Sequence, residues 1–367
     1  MAPLSNSVQN VLDSLIARGI VGASAAIVRN GQLVALARAG LADRSRSMPV
    51  VATSLFKVGS CTKTFVAATL MRLAQSGSVD LKAPVSEWFA DLPGGERITV
   101  RHLLNHRSGL PEFEFHLPMT PDRSWTPREI VDLAFKVSPQ NEPDRACSYS
   151  NTGYVLAGML IEAITGDSLA AQVRKHVLNP LALNDTFSAA GEAFPEERVV
   201  RGYYHRPIPQ EHENKRPEMW RMEGVLPYSD DLQDSQDAFP ATAAFAAGDM
   251  ISTSCDLARF LDGLFRCELF DSYWLGQMTE GRAPASFPGT RMRESGAGLF
   301  LSEYAGTGVF GHQGSIPGQV CVMQHIPQSG VSLALTTNTG SGDRGSFYAA
   351  GLHDTFDQLV KLVASMH

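Results

Sequence analysis

The stretch Phe56 to Gly77, FKVGSCTKTFVAATLMRLAQSG, constrains this chain most. Gly59 breaks a short extended run, Leu55 to Val58, and Ser60 stands where a helix begins. From Cys61 to Gln75 there is no proline or glycine, and Gly77 supplies the stop. Between Phe65 and Leu73 only Thr69 and Arg72 interrupt an all-round apolar surface. A helix of that kind is buried. The pattern therefore predicts a central helix with the rest of the fold wrapped around it.

Ser60 and Lys63 stand three residues apart at the mouth of that helix, so they share a face. A serine hydroxyl is a weak nucleophile until a base takes its proton. Burial and the positive end of a helix dipole both lower a lysine pKa, and Lys63 can have both. Ser-x-x-Lys is a loose pattern, and Ser54 to Lys57 repeats it nearby. The remaining chain has to decide between them.

Two further short motifs bear on that choice. Tyr149-Ser150-Asn151 is the one Tyr-x-Asn, just before a helical stretch. Beside a lysine ammonium the Tyr149 phenolate would be favoured, giving a base for Ser60 or a proton shuttle. A buried aromatic with an asparagine N-cap gives the same letters without chemistry. His312-Gln313-Gly314, followed by Ser315, is the one His-x-Gly and falls at the end of a strand-like run. There the Ser315 N–H, with the Ser60 N–H, would form an oxyanion hole, and Gly314 would let a substrate approach. A plain turn accounts for it equally well in isolation.

Along the chain, Val8, Val11, Leu12, Leu15 and Ile16 mark a helix over 7–18. Residues 22–39 read as two strands joined at Asn30-Gly31, a type I′ hairpin signal. Thr99 caps VRHLLNHR, closed by Gly109; Thr126, Pro127 and Glu129 form a capping box. Helical patterns continue over 150–165 and 168–177, and Thr253 caps another. Runs at 297–303, 308–312, 319–327 and 331–338 read as an antiparallel meander, followed by a helix from Ser346 to Ser365. The expected class is α+β. An antiparallel sheet built from early and late strands is flanked by helices, the terminal ones covering its faces. Residues 1–58 and 246–367 would form the sheet domain, and 59–245 an inserted, mainly helical one.

Residues 188–245 lack periodicity. Between Glu211 and Asp237 lie eight acids and three bases, net −5 of the chain's −7. A loop that long is commonly functional or disordered, and a solvated acidic surface accounts for the same letters. The overall acidity argues against nucleic acid or an anionic membrane as partner. Five widely spaced cysteines without C-x-x-C fit free thiols in a reducing compartment. With no basic-then-apolar leader and no apolar run near 18 residues, a cytoplasmic location is expected. His102 and His106 are spaced as a helical metal pair, but no third ligand has motif spacing.

Taken together, the three motifs resemble the serine β-lactamase and penicillin-recognising superfamily. That family carries Ser-x-x-Lys, Tyr-x-Asn and Lys-Thr-Gly or His-x-Gly in this order. SCTK, LLNHRSGLP, YSNTGYVLAGM, the HxGxIPG pattern and the GDRGSFY segment look closest to D-amino-acid amidases and D-stereospecific aminopeptidases. The resemblance implies Ser60 as nucleophile, Lys63 and Tyr149 as the proton-transfer pair, Asn151 orienting Lys63 and the substrate, and Ser315 as an oxyanion donor. His312 would take the third motif's place, with Gly314 beside it. A histidine there, in place of a lysine ammonium, points away from carboxylated penicillins and towards uncharged amides or esters. Trp220 and Phe239 would wall a side-chain pocket, and Asp230, Asp231, Asp234 and Asp237 would attract a substrate ammonium. The expectation is a cofactor-free acyl-enzyme hydrolase of D-amino-acid amides or short D-peptides, with a small-molecule amide or ester substrate and no nucleic-acid or membrane partner. An esterase or transacylase passing the acyl group to an amine, a non-catalytic scaffold and a true β-lactamase remain alternatives; oligomeric state is left open.

Overall fold

The computed structural model describes residues 2–115, 123–207, 228–235, 241–285, 290–341 and 352–364. Helix α1 (Ala2–Ala17) leads into β1 (Gly22–Arg29) and β2 (Gln32–Asp43). Asn30 and Gly31 both take positive φ, 53° and 76°, as a type I′ turn requires. A two-residue strand, β3 (Met48–Pro49), follows β2. The helical region brings α2 (Thr62–Gln75), α3 (Val100–Leu104), α4 (Pro127–Ala134), α5 (Asn151–Thr165), α6 (Leu169–Val173) and α7 (Ala241–Gly248). After α8 (Ser254–Phe265) and α9 (Ser272–Thr279) come β4 (Ala283–Pro284), β5 (Met292–Ser295), β6 (Phe300–Tyr304), β7 (Thr307–Ile316), β8 (Gln319–Ile326) and β9 (Val331–Thr337). Helix α10 (Leu352–Ala364) closes the described chain.

These strands form one nine-stranded sheet in the order β3-β2-β1-β9-β8-β7-β6-β5-β4. All its pairings are antiparallel, and β1 meets β9 in the register Ile27↔Leu333. Early and late strands thus join in one sheet, as the sequence pattern predicts. The terminal helices do not take a face each. Both α1 and α10 sit in one core with Val320, Val322, Leu333 and Leu335, on the same side of the sheet. The opposite face carries α8 and α2, tied together by the stacked rings of Phe65 and Phe260, centroids 3.8 Å apart. Periodicity tells which stripe of a helix is buried, not which side of a sheet receives it.

Helix α2 is buried from Thr62 to Ala74 except at Arg72. Its hydroxyls are satisfied within the core: Thr64 donates to the Gly298 carbonyl (2.7 Å), Thr69 to the Phe65 carbonyl (2.9 Å), and Thr62 accepts the Met250 N–H (3.0 Å). Buried polar groups paired in this way avoid the desolvation cost that orphans carry. Thr126 and Glu129 form the expected capping box, with Pro127 at N1 of α4. Helix α3 is shorter than the sequence suggests. It stops at Leu104, and His106 takes a positive φ of 59° that turns the chain out of the helix. Of the expected final helix, 346–351 and 365 lie outside the described residues.

Candidate active site

Four elements deliver the polar groups of the site. A 3-10 turn, Gly59–Cys61, carries Ser60 into the start of α2. Strand β7 crosses this turn at very close range. A Cβ on Gly314 would lie 1.9 Å from the Val58 carbonyl oxygen and 2.9 Å from the Ser60 nitrogen. A Cβ on Gly59, whose φ is +51°, would lie 2.7 Å from the Ser315 nitrogen. Only glycine fits either place, and the two together set the Ser60 and Ser315 main chains side by side.

Lys63 lies one turn into the helix with 0% of its surface exposed. Its Nζ is 2.6 Å from Asn151 Oδ1, 2.7 Å from the Ala247 carbonyl oxygen and 3.0 Å from Ser60 Oγ. The first two partners only accept. Two N–H bonds are therefore committed to them. The third position, a lone pair on neutral Lys63 or a third N–H on the ammonium, faces Ser60. Burial lowers the Lys63 pKa to about 7, against the opposing pull of Glu114 and Glu112. The sequence-stretch rival fares differently: the Ser54 hydroxyl accepts the Val51 N–H (2.9 Å) in a turn of its own.

The Tyr-x-Asn motif opens α5. Ser150 is its N-cap, accepting the Gly153 N–H at 2.9 Å. Asn151 thereby enters the first turn facing Lys63, and Tyr149 stands just outside. The Tyr149 hydroxyl shares a hydrogen bond with Ser60, and Lys63 Nζ lies 4.9 Å from the centre of its ring. The Tyr149 pKa moves opposite to the sequence expectation. Burial raises it well above its usual value, and the neighbouring carboxylates Glu114 and Glu112 add to the rise. A phenol, not a phenolate, faces Ser60.

His312 is fully buried on β7, 6.4 Å from Tyr149 between ring centroids and 5.1 Å from Phe300. Burial first, then Lys63, holds its pKa down at about 3, so the imidazole is neutral. Cys61, next to the serine, points away into the core: its Sγ lies 3.6 Å from Cys321 Sγ and 3.7 Å from the His312 carbonyl oxygen, and burial pushes its thiol up.

Two site residues, Glu112 and Glu114, carry no motif, and a third, His106, takes a role that its spacing from His102 does not suggest. His106 stacks on Tyr149, centroids 4.4 Å apart, and its Nδ1 accepts the Ser150 N–H at 3.1 Å. It supports Tyr-x-Asn rather than pairing with His102, whose own Nδ1 accepts the Thr99 N–H. Glu112 is buried, 7% exposed, and its Oε2 accepts the Asn151 N–H at 2.7 Å. Burial, then Glu114, raises the Glu112 pKa to about 8. Glu114 is less buried and acts electrostatically on Lys63, Tyr149 and Glu112. The signal available was the run Glu112-Phe113-Glu114 after LLNHRSGLP: two carboxylates in an otherwise apolar stretch. Of the acidic loop, Asp234 is engaged with Arg201 Nη1 at 2.5 Å. Trp220, Asp237 and Phe239 lie outside the described residues. The side chains of Asp230 and Asp231 are likewise outside the description.

The chain belongs to the β-lactamase family: the family model described as Beta-lactamase matches residues 8–354. Among solved structures it is closely similar to the D-amino acid amidase from Ochrobactrum anthropi SV3 complexed with D-phenylalanine, at 40% identity over 99% of both chains and a TM-score of 0.88. It is also similar to a D-stereospecific amidohydrolase from Streptomyces sp., at 27% identity over 98% of both chains and a TM-score of 0.76. Penicillin-binding protein 4* of Bacillus subtilis (strain 168) is 28% identical over 62% of this chain, a match that spans 48% of that protein. Among the described residues no single helix is long and apolar enough to cross a membrane.

Proposed function

We propose that this chain is a serine hydrolase that cleaves amides of D-amino acids or short D-peptides through an acyl-enzyme on Ser60. The observation that carries the reading is the Lys63 ammonium site, buried and committed to two acceptors so that its third position faces Ser60. Neutral Lys63 takes the Ser60 proton as Oγ bonds to the substrate carbonyl carbon. The developing oxyanion sits between the Ser60 and Ser315 N–H groups. The Tyr149 phenol, hydrogen-bonded to Ser60, gives its proton to the leaving nitrogen and is reprotonated from Lys63. The C–N bond breaks, ammonia or an amine departs, and water then releases the acid by the same steps. Asn151 and the Ala247 carbonyl position Lys63. No cofactor enters the scheme.

The substrate class draws support from the Ochrobactrum relative, whose structure is described with D-phenylalanine. On this chain, Glu114, which acts electrostatically on both Lys63 and Tyr149, offers a carboxylate for the α-ammonium of an amino-acid amide. Trp220 and Phe239 remain proposed walls of the side-chain pocket. The reading also divides the chain into 1–58 with 246–367 and an inserted 59–245, supported by a sheet drawn from both ends of the sequence. A cytoplasmic setting belongs to it too, supported by five free cysteines.

The deciding experiment compares D- and L-phenylalanine amide with wild type and Ser60→Ala, and weighs the protein after exposure to a fluorophosphonate. The reading requires faster release of ammonia from the D-amide and a covalent adduct on wild type alone. An adduct of equal yield on Ser60→Ala, or a preference for the L-amide, would overturn it.

A further inference from the structure

Strand β7 alternates its side chains between the two faces of the sheet. Gly314 faces the Ser60 turn, so His312, two residues earlier, faces the same way. Gln313 faces the other way and donates from Nε2 to the Tyr304 hydroxyl. The His312 ring is fixed by its own backbone: Nδ1 lies 2.5 Å from the Gln313 carbonyl oxygen. A carbonyl only accepts, so Nδ1 carries the proton of the neutral ring and Nε2 holds a lone pair. His312 is 0% exposed, and among the described residues this Nε2 has no hydrogen-bond partner. A buried acceptor with nothing to accept is costly, and beside Tyr149 it calls for a donor that a ligand can bring.

We propose that His312 Nε2 accepts the N–H of the substrate's leaving nitrogen, which makes the site select amides bearing at least one N–H over esters and fully substituted amides. This rests on the amidase reading above. The chemistry explains the need. When the C–N bond breaks, the nitrogen lone pair must face the proton donor, Tyr149. The N–H bonds then point elsewhere, and an acceptor beside Tyr149 holds the nitrogen in that rotation. His312 packs close to Tyr149, and the edge-on contact with Phe300 keeps the ring in place. An ester oxygen has no hydrogen to give and would set lone pair against lone pair. The ring nitrogen of a penicillin is bonded to three carbons and also has none. A site built to hydrogen-bond a substrate N–H rejects the analogue lacking it. The third motif thereby discriminates by hydrogen count on the leaving atom.

The test measures kcat/KM for D-phenylalanine amide and D-phenylalanine methyl ester with wild type, His312→Leu and His312→Gln. Rates are normalised to the fraction of Ser60 titrated by a fluorophosphonate, so that misfolded protein does not count. Leucine removes the acceptor, and the amide-to-ester ratio falls roughly tenfold or more. Glutamine reaches the same position with its amide oxygen and restores most of the ratio. If His312→Leu lowers both substrates by one factor, or His312→Gln leaves the ratio as low as leucine does, the proposal is wrong while the amidase reading stands. If wild type releases no ammonia from the amide, both fall together.

Discussion

Asn151 Oδ1 stands 2.6 Å from Lys63 Nζ, the shortest of the three contacts that hold the buried amine. A neutral amide at this place accepts an N–H without adding charge, and so leaves the burial-driven depression of the Lys63 pKa intact. Asn151→Asp keeps the shape and adds a carboxylate. An opposite charge at that range raises a lysine pKa by about 1–3 units. The acidic limb of kcat/KM moves up by that amount, and activity at pH 7 falls about tenfold or more. A limb that stays put would show that Lys63 is not the titrating base.

For the wild type, the sign follows from the same group. Lys63 is the base only when deprotonated, and its pKa is lowered to about 7. Activity therefore rises with pH through that region and does not wait for the ordinary lysine range near 10. His312, held at about 3, contributes no limb between pH 5 and 9. A pH profile of kcat/KM with D-phenylalanine amide reads this directly, and Lys63→Met should abolish both the limb and roughly a thousandfold or more of the rate.

Gly314→Ala tests the contact between strand and nucleophile. Its Cβ would lie 1.9 Å from the Val58 carbonyl oxygen, so β7 must withdraw from the Ser60 turn. A displacement near 1 Å costs roughly a hundredfold in rate. We expect kcat to fall by that order while thermal unfolding shows the sheet still formed. Full activity in this variant would remove Ser315 from the oxyanion hole.

Glu114→Gln separates recognition of the ammonium from the chemistry. KM for D-phenylalanine amide should rise about tenfold, whereas 3-phenylpropionamide, which lacks the amine, should change little. Equal effects on both would assign Glu114 to Lys63 rather than to the substrate.

Glu112 gives a stability test. Its pKa is raised to about 8 in the folded protein, so between the unfolded value near 4.5 and that point the native state binds more protons. Stability contributed by neutral Glu112 is full at low pH and is lost as pH rises towards 8. Glu112→Gln removes this slope. Its melting temperature relative to wild type should be about 1–3 °C more favourable at pH 8 than at pH 5. An equal difference at both pH values would place the charge on Glu112 throughout.

Much of this site is legible in the sequence. Ser60, Lys63, Tyr149 and Asn151 converge because helix spacing and an N-cap place each of them, and both are local rules that a sequence displays. His106 and Glu112 are brought in by loops between helices, where no periodicity marks the face, and the Ala247 contact is made by a backbone carbonyl near the end of α7, which no side-chain pattern displays. The Tyr149 phenol went the other way from the expectation because a sequence shows the lysine charge but not the depth of burial, and burial is the larger effect. The hairpin at Asn30-Gly31 and the capping box at Thr126 were readable for the same reason as the nucleophile: the residues that define them are neighbours in the chain.

The pairing of β1 with β9 has a consequence for how the protein is made. Ile27 and Leu333 sit opposite each other in the sheet, yet nearly all of the helical region lies between them in the chain. The strand that carries His312 and Ser315 joins β1 only through β8 and β9. A chain that stops before about residue 337 therefore has Ser60 but no complete sheet to set His312 and Ser315 against it. Long-range closures of this sort are slow to form, so the sheet that brackets Ser60 is a late event in folding.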